Sequence, residues 1–172
     1  MRRPLNFATL VLAGIVIDLA TKHAVFQNLD DGEVYPLVKG WLEIMRAENK
    51  GVAFSLLRDY PSIIMVVSVI ALAAIVYLYS RIWRSAHPLM ITALGLLLIG
   101  AIGNLIDRIF FHFVRDFIQF VPPLPVIGHW AVFNFADMCI TVGVILFLIS
   151  EMFLKAGSDN EKKTEKAESA TA

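Results

Sequence analysis

Leu89-Met90-Ile91-Thr92-Ala93-Leu94-Gly95-Leu96-Leu97-Leu98-Ile99-Gly100-Ala101-Ile102-Gly103-Asn104-Leu105-Ile106, closed by Asp107-Arg108, decides the class of fold. The run carries no charge until its last turn, and a bilayer core takes about 20 apolar residues in helix. Three other segments have the same character: roughly 5–25, interrupted by Asp18 and Lys22; roughly 62–79, without a charge; and roughly 130–153, containing Asp137. The composition agrees. Of the 172 residues 58% are hydrophobic and 17% charged, where a soluble domain carries about 25% charged residues. The expected fold is mainly α: an integral-membrane four-helix bundle, with residues 1–156 as one membrane-embedded domain and 157–172 as a disordered cytoplasmic tail.

Pro61 and Pro88 stand just before the second and third spans, where a proline leaves the helix undisturbed. Met1-Arg2-Arg3-Pro4 before an apolar run has the outline of a secretory signal. The run is too long and no small-x-small site follows, so it reads as an uncleaved first span. Four spans put both termini on one side, with Arg2, Arg3, Arg81, Arg84, Lys155, Lys162, Lys163 and Lys166. The positive-inside rule makes that side the cytoplasm. On the other side, the uneven alternation from Trp41 to Leu57 suggests short strands or an amphipathic element lying against the membrane, with Val34–Val38 as a partner strand.

The polar residues within these apolar surroundings are the candidates for function. Asp18 and Lys22 are four apart on the first span and face the same way. Asn104, Asp107 and Arg108 present an amide, a carboxylate and a guanidinium on one face of the third, beside Gly100 and Gly103, which permit close helix approach. Asn49-Lys50-Gly51 has the composition of a tight turn, and an Asn side chain there is also able to hold a substrate backbone. Asn134 and Asp137 are three apart in the fourth segment. Asp116, in Val114-Arg115-Asp116-Phe117-Ile118, lies outside every span, and the Pro-rich return loop through Pro122-Pro123-Leu124-Pro125 is able to bring it back beside Asp137.

A carboxylate inside a span costs roughly 2.5–3.5 kcal/mol on insertion scales, which makes a purely structural Asp137 the weaker reading. Two carboxylates in contact split their titration, one holding a proton while the other accepts one from water. That is the chemistry of amide hydrolysis without metal, cofactor or covalent intermediate. His23, His87, His112 and His129 show no ligand spacing, and no Ser-Lys or Ser-His pattern stands out. The neutral net charge gives no sign of nucleic acid, and the single cysteine, Cys139, reads as a packing residue. A proton-coupled transporter would spread its carboxylates through the membrane depth, whereas Asp107, Asp116 and Asp137 gather toward one face. A scaffold glued by polar residues leaves Asp116 unexplained. A presenilin-type intramembrane protease would hold both aspartates in its helices, and Asp116 is not in one.

Asp18 with Lys22, Asn49-x-Gly51-x-Ala53-Phe54, Gly103-Asn104-Leu105-Ile106-Asp107-Arg108, Val114-Arg115-Asp116-Phe117-Ile118 and Phe133-Asn134-x-Ala136-Asp137 occur in order, and in this the chain resembles the bacterial lipoprotein signal peptidases, the signal peptidase II family. The resemblance implies an aspartic endopeptidase of the inner membrane. Such an enzyme removes the signal peptide from diacylglyceryl-modified prolipoproteins, on the N-terminal side of the lipidated cysteine, at the extracytoplasmic leaflet. It implies Asp116 and Asp137 as the catalytic dyad. Asn49, Gly51, Asn104, Arg108 and Asn134 would bind or orient substrate and dyad; Asp18, Lys22 and Asp107 would support the site. The first outer loop would form a small extracytoplasmic β-cradle. Membrane lipid surrounds the site, and sensitivity to globomycin-type inhibitors is expected. Val52, Met138 and the length of the Pro-rich loop depart from the family pattern without touching these groups.

Overall fold

The computed structural model describes residues 2–51, 59–123 and 131–171, with side chains described for 6–51, 59–123 and 131–153. In chain order the elements are α1 (Arg2–Asn28), β1 (Val34–Val38), β2 (Leu42–Asn49), α2 (Pro61–Ile82), α3 (Pro88–Phe111), β3 (Val114–Phe120) and α4 (Phe135–Thr171). Among the described residues, four helical segments are long and apolar enough to cross a membrane: Asn6–Asn28, Pro61–Ile82, Pro88–Phe111 and Phe135–Phe153. The mainly helical, four-span expectation is met.

Helix α3 is the axis of the bundle. Half of its membrane window is buried, against 6% for α2, and it packs against α1, α2 and α4. Val11 of α1, Leu98 and Ile99 of α3 and Cys139 of α4 form the core cluster, so the cysteine is a packing residue, as its apolar setting suggested. Helix α2 buries only Ile64 and exposes Val66, Val67 and Ile70, an all-round apolar surface suited to lipid. Small residues set the closest approaches. A Cβ on Gly100 would run into the backbone oxygen of Ala136, and one on Gly103 would run into the Asp18 carboxylate, so α4 and α1 lie directly on the α3 backbone there.

Pro61 and Pro88 open α2 and α3 as expected. His87 caps α3, its Nδ1 accepting the Leu89 N–H at 3.2 Å. At the other end α3 stops on His112, held at φ 64° in the left-handed region. That reversal turns the chain into β3.

The three strands form one antiparallel sheet in the order β1-β2-β3. β1 and β2 are a hairpin turned through Gly40 at φ 75°. β2 pairs with β3 so that Ala47 faces Asp116 and Asn49 faces Val114, with a bulge between Ile44 and Ala47. The strands connect the C-terminal end of α1 to the N-terminal end of α2, and of α3 to α4. The sheet therefore caps one end of the bundle.

One expectation changes. The fourth segment was expected to be helical from about residue 130, but α4 begins at Phe135. Phe133 is extended instead, exchanging backbone hydrogen bonds with Ile118 at 2.8 and 2.9 Å, and so closes the open edge of β3. The expected start, Trp130, lies outside the described residues, as do Val52, Ala53 and Phe54 of the Asn49 motif. The α4 backbone continues as helix to Thr171, through a stretch whose Glu, Lys and Ala are strong helix formers.

Candidate functional site

The polar residues singled out in the sequence converge where the sheet meets the bundle. Helix α4 begins with a reciprocal cap. Asn134 Oδ1 accepts the Asp137 N–H at 3.0 Å, and Asp137 Oδ2 accepts the Asn134 N–H at 3.2 Å. This is a capping box with aspartate in the return position, and a carboxylate in the first turn also suits the positive end of the helix. Asp137 thus sits at the mouth of its span rather than mid-bilayer. The neighbouring orphan donor, Ala136 N–H, goes to Asp18 Oδ1 at 2.9 Å, which fixes the start of α4 against α1.

Asp116 reaches the same place from β3. It is 2% exposed, not the solvated loop residue that its position after a span allows. Its Oδ2 accepts from Asn49 Nδ2 at 2.9 Å and its Oδ1 from Asn134 Nδ2 at 2.6 Å. Asn134 therefore touches both carboxylates, Asp116 through its side chain and Asp137 through its backbone. Asp137 Oδ1 also accepts from Asn104 Nδ2 at 2.7 Å.

The three asparagines share one logic. Each has its amide oxygen occupied elsewhere and its NH₂ turned to a carboxylate. Asn49 Oδ1 takes the Gly51 N–H at 3.0 Å, the Asx-type turn expected from the Asn-x-Gly spacing. Asn134 Oδ1 takes the Asp137 N–H. Asn104 Oδ1 takes Lys22 Nζ at 3.0 Å and Asn134 Nδ2 at 3.2 Å. Arg108 does not snorkel away: it donates to the Gly51 carbonyl at 3.2 Å and to the Asn104 carbonyl at 3.4 Å.

Beneath this layer lies a buried chain of ion pairs. Lys22 bonds Asp18 at 2.7 Å and lies 3.4 Å from Asp107, all three side chains fully buried. Asp107 also binds Arg115, through the backbone N–H at 2.9 Å, Nε at 3.1 Å and a terminal nitrogen at 2.7 Å. The Arg115 guanidinium further stacks on the Phe111 ring at 4.3 Å. Arg115 is the residue of this network that the sequence reading gives no role; it stands there only as part of Val114-Arg115-Asp116-Phe117-Ile118. Its signal was a cation within an apolar run, next to Asp116 and eight residues after an aspartate.

Burial, first, and the nearby Asp137 carboxylate push the Asp116 carboxyl up to about 7; the Asn49 and Asn134 amides and the Lys22 charge act in the opposite direction. At neutral pH a proton on Asp116 is therefore readily held and readily lost. A cavity of about 400 Å³ shares Asn49 and Arg108 with this network. Asn49, Lys50, Arg108 and His112 give it polar groups, and Ile64, Met65 and Val66 of α2 give it an apolar wall. Among the described residues no group of three or more His, Cys, Asp and Glu is placed to hold a metal ion.

Fold and site together define a multi-pass membrane enzyme with an amide-lined pair of carboxylates at one end of its bundle. The signal peptidase (SPase) II family model matches residues 10–153. A lipoprotein signal peptidase of Fusobacterium nucleatum is 33% identical over 158 residues, 91% of this chain and 89% of the relative. One of Bartonella tribocorum is 38% identical over 150 residues, 84% of this chain and 86% of the relative. A bacterial membrane enzyme solved by the in meso method at 2.3 Å superposes with a TM-score of 0.75 at 29% identity, covering 90% of each chain. A second, solved at 1.9 Å, gives 0.72 at 28%, covering 84% of this chain and 91% of its own. The chain belongs to the signal peptidase II family and is a peptidase.

Proposed function

We propose that Asp116 and Asp137 are a catalytic dyad that hydrolyses a peptide bond in diacylglyceryl-modified prolipoproteins, on the N-terminal side of the lipidated cysteine. The observation that carries this reading is the Asn134 amide group. It is bonded to Asp116 at 2.6 Å and its backbone N–H to Asp137 at 3.2 Å, which holds two carboxylates at one point between sheet and bundle. Such a pair retains one proton because both members do not ionise cheaply at close range. The ionised carboxylate takes a proton from water as the water oxygen bonds to the amide carbon. The protonated partner donates to the carbonyl oxygen, and collapse of the tetrahedral adduct expels the amine with a proton returned from the dyad. No cofactor takes part.

The cavity supports the substrate class. Its apolar wall is formed by α2, whose exposed residues from Ile63 to Tyr77 are apolar, so a substrate that is itself membrane-bound is able to arrive by lateral diffusion. Asn49 and Arg108 belong both to the cavity lining and to the hydrogen-bond network around the two aspartates, placed to hold an extended substrate backbone. The relatives' name, lipoprotein signal peptidase, agrees with a lipoprotein precursor as substrate. The enzyme works in the bacterial inner membrane, termini in the cytoplasm, with the site at the extracytoplasmic leaflet. The hairpin residues Tyr35, Leu37 and Trp41, all exposed, rest at the lipid interface there, and a globomycin-type cyclic peptide occupies the cavity as inhibitor.

The test is cleavage of a diacylglyceryl-modified prolipoprotein by purified protein in detergent. Asp116→Asn and Asp137→Asn, each folded, should each lower kcat by roughly 10²- to 10⁴-fold. A variant that keeps the wild-type rate removes that aspartate from the dyad.

A further inference from the structure

Asn104 has nearly the same shape whichever way its amide points, yet only one orientation serves Asp137. With Nδ2 toward the carboxylate it donates at 2.7 Å. With the amide reversed, two acceptors would face each other. What decides the orientation lies on the far side. Lys22 is fully buried, and an ammonium has three donors and no acceptor. Its neighbours are three oxygens: Asp18 Oδ2 at 2.7 Å, Asn104 Oδ1 at 3.0 Å and Asp107 Oδ2 at 3.4 Å. A reversed Asn104 would aim its NH₂ at this cation.

We propose that Lys22 is a positioning residue for the reaction: by holding Asn104 Oδ1 toward α1 it keeps the Asn104 NH₂ aimed at Asp137. This rests on the reading of Asp116 and Asp137 as the dyad. Neutralising buried carboxylates does not by itself require the amide contact, because Asp107 already has Arg115 at 2.7 Å and Asp18 already receives the Ala136 N–H. Asn134 Nδ2 also reaches Asn104 Oδ1, at 3.2 Å, but its shorter bond is to Asp116. Lys22 is the donor on that oxygen that touches neither aspartate of the dyad.

Removing Lys22 alone would leave Asp18 buried beside no cation, so the test compares double variants. Asp18→Asn with Lys22→Met removes the donor from α1 and leaves Asn104 Oδ1 only the longer contact from Asn134 Nδ2. Asp18→Asn with Lys22→Gln is equally uncharged but retains one. Purified full-length proteins are assayed on a diacylglyceryl-modified prolipoprotein for kcat, KM and their pH dependence. The methionine protein should have a kcat lower than the glutamine protein by about tenfold or more, with KM little changed and the pH dependence of kcat displaced, since the hydrogen bond it releases is to a charged group. Equal kcat and equal pH profiles in the two overturn the proposal.

Should the methionine protein not fold, wild type with ¹⁵N-labelled asparagine decides. The Asn104 side-chain amide resonance should follow the titration of the aspartate pair and shift in Asp137→Asn; a resonance indifferent to both overturns the proposal. If wild type does not cut the lipidated substrate at all, the dyad reading falls and the proposal with it. If wild type cuts, Asp137→Asn does not, and the two double variants behave alike, only the role of Lys22 falls.

Discussion

Arg115 binds Asp107 with three nitrogens, one from the backbone and two from the guanidinium, the shortest at 2.7 Å. The bond joins the first residues of β3 to the last turn of α3, and Asp116 is the next residue along the strand. Asp107 is thereby a strut that sets where one of the two central carboxylates stands. A buried charge left wholly uncompensated costs about 3–5 kcal/mol, and Lys22, still 3.4 Å from Asp107, keeps the loss of Arg115 below that. Arg115→Ala should lower the thermal unfolding midpoint in detergent accordingly and reduce peptidase activity with it. Unfolding at the wild-type midpoint would mean that β3 is held by the sheet alone.

Asn134 caps α4 and touches both aspartates, so its loss should act twice. Asn134→Ala should cost about 1 kcal/mol of stability as a lost N-cap. Its effect on kcat should be larger than that cost suggests, about tenfold or more, because a hydrogen bond to a charged or proton-sharing group is removed from the dyad. The diagnostic is the comparison of an unfolding midpoint with kcat in the same preparation. A loss of activity that merely tracks the fraction unfolded would reduce Asn134 to a cap.

The pH dependence follows from Asp116, whose carboxyl is raised to about 7 by burial and by Asp137. In the proposed dyad the shared proton is kept up to that pH, so kcat should fall as pH rises through about 7. Because the Asn49 amide acts to lower this value, Asn49→Ala should move the falling limb to higher pH. Asp137→Asn should move the titration of Asp116, followed by infrared absorption of the carboxyl, to lower pH. For stability the sign is that of a raised group. The contribution of Asp116 is fully present below the unfolded carboxyl value of 3.8 and is lost as pH rises through about 7. Asp116→Asn should flatten the decline of stability across that window.

Gly100 lies against the Ala136 backbone, one residue from Asp137. Gly100→Ala should force α3 and α4 apart, at a cost of about 1–3 kcal/mol for an overpacked contact. The displaced helix start carries Asp137 with it, so kcat should fall even where the protein remains folded. A folded Gly100→Ala protein with wild-type kcat would show that the site adjusts to helix separation.

The membrane architecture was legible in the sequence because hydropathy is summed over about 20 residues and depends little on what each residue touches. Pro61 and Pro88 marked helix starts for an equally local reason, a ring that fixes φ and lacks an N–H. The nine candidate polar residues, from Asp18 to Asp137, were also visible, since a polar side chain in apolar surroundings needs a partner and so announces itself. Strand β3 was not visible. Val114, Arg115, Asp116 and Phe117 are all buried, so the alternation that marks a half-buried strand is missing, and its partners lie on β2 and at Phe133, far away in sequence. For the same reason Arg115 drew no role of its own. The orientation of the three amides, and with it the environment of the two carboxylates, is decided only in the tertiary structure. An asparagine offers a donor and an acceptor of almost equal size, and nothing local in the chain chooses between them. The choice is made by Lys22 from α1, by the start of α4 and by the turn at Gly51, which folding alone brings together.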